Sequence, residues 1–251
     1  MTEIYGLIRN SASIGDYVIR IENYGRDLKK YERLTDNNEV AFSAVLPGDS
    51  VLLAEPSLPI FLPFQYESEA LMIRLKEPVY VTPNYTAIFY LEAPFDIVVY
   101  DEDGEIIDIF TMENPKYSLY GDPNNGVVCR YGKSSVHVSE EDVPLTRGVL
   151  PVKVRNSFNT TLKVTLIVIP YRLLKTYYSQ NGRVYYSVAK VELEDKNRAV
   201  VYASKEAPRK GLRQSKIDPF KRKGIFIPTE VGRFELEWGF SIPLTRLSPQ
   251  S

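Results

Sequence analysis

Gly132-Lys133-Ser134 is the first place in this sequence to look for chemistry. It has the Gly-Lys-Ser ending of a loop that wraps phosphate in main-chain amides. Such a loop needs another glycine five residues before the second one. Val127 holds that position, and Gly126 is one residue out of place. A helix should follow, because its first amides help hold the phosphate. Here Ser135-Val136-His137-Val138-Ser139 alternates polar and apolar, as a strand does. His137 is the only histidine, and on such a strand it shares a face with Ser135 and Ser139. That spacing permits a serine–histidine pair. A hydrolytic triad also needs an acid, an oxyanion hole and a cleft, and the sequence identifies none of them. The reading preferred here is the polar outer face of a half-buried strand.

Metal chemistry is poorly supplied. Zinc takes three or four ligands, mainly Cys and His, and the chain offers Cys129, its only cysteine, and His137. Asp101-Glu102-Asp103-Gly104-Glu105 has the look of a calcium loop, but Ile106 and Met112 stand where that loop needs glycine and glutamate. A solvated hairpin turn explains it better. Cys129 alternates with Val127 and Tyr131 and reads as a small buried hydrophobe. Trp238 shares a face with Phe234, Leu236 and Phe240, which favours core packing over sugar stacking. No catalytic residue, metal or cofactor is assigned.

One segment rises above this background. Lys205, Arg209, Lys210, Arg213, Lys216, Lys221, Arg222 and Lys223 face only Glu206 and Asp218 between residues 205 and 223. Eight positive charges against two negative give +6, while the whole chain carries −1. With Pro208, Gly211 and Pro219 it reads as a long mobile loop. Three explanations compete: a solvated loop drawn to its own acidic body, contact with nucleic-acid phosphates, or contact with an anionic protein or membrane surface. Ordered docking onto an acidic face would remove the second and third. Single-strand binders interleave aromatic rings for stacking, and only Phe220 is available.

Strands must position these groups. Tyrosine (18) outnumbers phenylalanine (11), which suits pleated, half-buried surfaces. Strand signals cover 17–22, 87–91, 97–100, 149–154, 162–169, 184–191, 199–203 and 234–240, separated by turn residues at sandwich-like intervals. Asn181-Gly182 predicts a type I′ hairpin setting Tyr178 opposite Tyr185 and Tyr177 opposite Tyr186. Asp103-Gly104 and Asp195-Lys196-Asn197 predict two more. Residues 25–34 are equally compatible with a helical turn and a strand. Pro47, Pro56, Pro59 and Pro63 lie among apolar residues and indicate an edge, a loop or a cover over the core.

The fold class expected is all-β, an antiparallel β-sandwich architecture with few or no helices. The turn-rich stretch 111–126 suggests two sandwich units, 1–115 and 116–251, with one continuous domain as the alternative. No signal peptide or run of the ~20 apolar residues that span a bilayer is visible, so the default location is cytoplasmic.

Tyr120-Gly121-Asp122-Pro123-Asn124-Asn125-Gly126-Val127-Val128-Cys129-Arg130-Tyr131 resembles a stretch shared by an archaeal domain family of unknown function, the one numbered 432. Val152 to Asn156, followed by Val164 to Pro170, fits its second half. The resemblance implies an archaeal cytoplasmic source and no assigned activity, and a hot environment is compatible with one Cys and three Met. The leading functional expectation is a non-enzymatic binding or scaffold protein with an unknown protein partner or a second copy of itself. The alternatives are an anion-facing protein contacting nucleic acid or a membrane through 205–223, and a hydrolase whose site is assembled from separate strands.

Overall fold

A computed structural model describes residues 4–59, 68–195 and 198–217, and the backbone of 234–235 and 241–242. Among these the chain is all-β, with two single-turn 3-10 helices, Glu140–Asp142 and Tyr171–Leu173. No helix among the described residues is long and apolar enough to cross a membrane.

Four sheets form the body. The first joins β1 (Gly6–Ile8), β6 (Leu52–Ser57), β9 (Asp96–Asp101) and β10 (Ile106–Thr111). Beside it lies a meander of β2 (Ser11–Ile14), β3 (Tyr17–Asn23), β4 (Leu28–Leu34) and β5 (Val40–Pro47). The third runs β11 (Tyr117–Tyr120), β12 (Val127–Ser134), β7 (Ala70–Val81), β14 (Leu162–Pro170). The fourth is ordered β18 (Ala199–Ala203), β17 (Ala189–Leu193), β13 (Gly148–Asn156), β16 (Val184–Tyr186), β15 (Thr176–Tyr178), β19 (Arg213–Gln214), with β8 (Thr86–Ala93) also pairing β13. Leu71, Ile73 and Leu75 of β7 and Phe89, Leu91, Leu150 and Val152 of β8 and β13 belong to one buried cluster that residues of all four sheets share. Ladders β12–β7, β14–β7 and β13–β8 all join strands from opposite sides of residue 115.

The sheets are mixed rather than purely antiparallel, since β12 runs parallel to β7, and β16 and β17 run parallel to β13. A parallel centre buries both faces. In β7, Leu71 and Ile73 enter the main core, while Ala70 and Met72 pack with Cys129 and Tyr131 on the other side. Residues 28–34 are a strand, not a helical turn. The expected strand 184–191 is broken at Ser187 and Val188. There Ser187 exchanges main-chain and hydroxyl hydrogen bonds with Lys175, and the chain leaves β15 to pair with β18. Pro56 lies inside β6, opposite Ile97 but beyond the end of β1, so its missing N–H interrupts no ladder.

The Asn181-Gly182 hairpin exists, but its register differs from the expected one. Tyr177 faces Tyr185, Tyr178 faces Val184 and Thr176 faces Tyr186. Only Gly182 has positive φ, +81°, and its N–H bonds back to the Ser179 carbonyl. This is a type I turn closed by a left-handed glycine, which adds one loop residue to the two of a type I′ turn. One residue of slip moves each side chain to the opposite face. Gly104 does the same between β9 and β10, and β17 pairs with β18 as expected. Residues 196–197 of that last turn, Pro63 and Trp238 lie outside the described residues.

Candidate functional site

His137 makes a single bridge to Tyr90 beyond the end of β12, because the strand expected over 135–139 stops at Ser134. Val138 is 90% exposed. The ring Nε2 lies 2.8 Å from Glu92 Oε1. Ser139 instead accepts from the Glu141 N–H to cap the first 3-10 turn, and among the described residues no serine hydroxyl bonds the imidazole. Gly132, Lys133 and Ser134 lie within β12, so they form no phosphate loop. The Asp101 carboxylate accepts from the Asp103 and Glu105 amides, and its oxygen serves the hairpin. Cys129 is buried, and burial pushes its thiol up to about 11. Among the described residues no cluster of His, Cys, Asp and Glu could hold a metal ion.

The basic segment is tied down over 205–217. β19 pairs antiparallel with β15, Arg213 opposite Tyr178 and Gln214 opposite Tyr177. The Ser215 N–H donates to the Thr176 carbonyl. Buried Glu55 of β6 completes the attachment. Its Oε2 accepts from the Ser215 hydroxyl at 3.1 Å and the Lys216 N–H at 2.7 Å, and its Oε1 from the Tyr178 hydroxyl at 3.1 Å. The main chain of Lys216 is used for docking, and its ammonium is left over.

The cations of the segment divide accordingly. Arg209 pairs with Glu140 and lies 5.5 Å from the centre of the Tyr185 ring, as expected of a loop drawn to its own acidic body. Lys210 and Arg213 are exposed. Lys221, Arg222 and Lys223 lie outside the described residues. Lys205 and Lys216, both exposed, line a cleft of about 730 Å³.

Two further cations, Arg172 of the second 3-10 turn and Lys175, stand on the same wall, and no described lining residue is acidic. Among the described residues none of these four cations belongs to an ion pair. Ser57 and Thr176 also line the cleft. Both are buried, and both hydroxyl oxygens lack a hydrogen-bond partner. A buried polar group without a partner is costly and uncommon in a native fold. Tyr171 forms part of the wall, but its hydroxyl donates to the Pro59 carbonyl at 2.9 Å and its ring is fully buried. Leu58 and Leu174 supply apolar lining.

Composition singles out Lys205 and Lys216 but not their cleft partners. Arg172, Lys175, Ser57 and Thr176 sit in unremarkable sequence surroundings and meet only through the ladder of β15 and the end of β6.

The family described as Protein of unknown function (DUF432) matches residues 4–229. No curated protein and no solved structure matches the chain.

Proposed function

The chain belongs to that family across most of its length, and since the family lends no activity, we propose from the cleft itself that this is a binding protein for an anionic ligand. The observation that carries the reading is the set of four unpaired cations around two partnerless hydroxyls, with no described acidic side chain in the wall. Within a fold, charge is normally paired or left to open solvent. Here four exposed cations line one concavity, whose volume falls in the range of small-molecule sites, about 300–1,000 Å³. The described wall holds neither His137 nor an acidic side chain, so the reading is capture rather than turnover. A lone buried thiol suits a reducing compartment, and we place the protein in the cytoplasm on that ground.

A ligand that binds only the folded state raises the melting temperature. Replacing chloride with inorganic phosphate at fixed ionic strength and pH should raise Tm by a few degrees. The double variant Lys175→Glu/Lys216→Glu should melt where the parent does in chloride and lose the phosphate response. An equal response in parent and variant would remove the cleft as the anion site.

A further inference from the structure

We infer that the ligand is a small phosphorylated molecule carrying at least two negative charges, seated with its phosphate at Ser57 and Thr176, rather than a carboxylate or a nucleic-acid strand. The inference rests on the anion-binding reading above and names the ligand's chemistry.

Charge comes first. Arg172, Lys175, Lys205 and Lys216 surround the cleft. Glu55 lies behind them with Oε2 turned to Ser215 and the Lys216 amide, and Oε1 turned to Tyr178. Counting Glu55, three positive charges remain uncompensated. A phosphomonoester brings about −1.5 to −2 at neutral pH and three acceptor oxygens. A single carboxylate brings −1 and two oxygens.

Donor arrangement comes second. The Ser57 and Thr176 hydroxyls come from different strands, the C-terminal end of β6 and the N-terminal end of β15. Two hydroxyls carried on separate strands, among lining lysines and an arginine, suit a tetrahedral oxyanion with several acceptor oxygens better than a planar one. Hydrogen bonds to an ionised acceptor are the strong class.

The lining decides against a strand. Proteins that hold single strands present open aromatic faces for successive bases. Tyr171 is the only described aromatic in the wall, and its ring is buried. Leu58 and Leu174 give the non-phosphate part of the ligand an apolar surface without a stacking platform.

Calorimetry on the full chain tests this with three probes at equal ionic strength: inorganic pyrophosphate, citrate as a carboxylate of comparable charge, and a 20-nucleotide single-stranded DNA. Pyrophosphate should bind at least tenfold more tightly than citrate. The DNA should bind weakly, with affinity that vanishes as salt is raised. Ser57→Ala and Thr176→Val should each weaken pyrophosphate about tenfold, the loss of one hydrogen bond to a charged group. Their circular dichroism and Tm in chloride would show that they fold. Citrate matching pyrophosphate would overturn the phosphate class and leave the anion reading intact. The DNA binding tightest, with competition by pyrophosphate, would replace the small ligand by a strand. Pyrophosphate binding unchanged in both hydroxyl variants would overturn the seat. No binding by any probe would remove this inference and the anion reading together.

Discussion

Two polar regions of this protein treat charge in opposite ways. Where β4 meets β10, Arg33 and Asp108 are both buried and answer one another. Asp108 Oδ2 accepts from Arg33 Nε at 2.8 Å and from the Tyr31 hydroxyl at 2.9 Å. The Arg33 guanidinium lies 4.9 Å from the centres of the Tyr17 and Phe110 rings. Burial pushes the Asp108 carboxyl above its ordinary range, while the guanidinium and the phenol pull it down. Among the described residues, the cations that line the cleft belong to no ion pair, Glu55 being taken up by Ser215, the Lys216 N–H and Tyr178, and the Ser57 and Thr176 hydroxyls have no hydrogen-bond partner. The first region is complete within the chain, so its charges hold sheets together. The second is left open within the described residues, and it is where we propose that an anion binds.

Breaking the complete region should give the largest effect. Asp108→Ala leaves Arg33 buried without its partner and should cost about 3–5 kcal/mol, read by urea denaturation. The double replacement Arg33→Met/Asp108→Leu should recover most of that loss, because an apolar pair of similar volume often matches a buried ion pair. A double variant as unstable as the single one would mean that the site depends on charge itself.

The incomplete region predicts the opposite sign. Without phosphate, Ser57→Ala and Thr176→Val should leave stability unchanged or raise it by about 1 kcal/mol, since each removes an unanswered buried hydroxyl. With phosphate the order should reverse. A loss of more than about 1 kcal/mol in chloride would show that these hydroxyls serve the fold.

Arg209 sharpens the contrast within the basic segment. Its pair with Glu140 is half-exposed and screened, so Arg209→Gln should cost less than about 1 kcal/mol and leave anion binding untouched. A phosphate response that falls with Arg209 would extend the site beyond the cleft.

These differences explain which parts of the molecule the sequence could disclose. The all-β class was legible because Tyr, Val and Ile recur in short runs between turn residues. The hairpin at Asn181-Gly182 was legible, but not its register, because the same dipeptide also serves a turn in which only the glycine is left-handed. The longest strand, β7, went unseen. Lys76, Glu77 and Pro78 interrupt its apolar pattern at the place where its pairing with β14 shifts register. The basic segment stood out by composition. Its division into a docked arginine and two lysines lining a cleft depends on Glu140, which pairs with Arg209, and on Glu55, which lies 160 residues before Ser215 in the chain.

The same separation sets a clock. The cleft draws on residues 57–58, 171–176, 203–205 and 214–217, and β19 must dock on Glu55 before its last wall exists. Contacts so distant along the chain form late and slowly. On the ribosome, the first strands emerge well before the segment that finishes the cleft. A nascent chain can bury much of its core before β19 closes that wall, so the ligand capture we propose would report that β19 is in place.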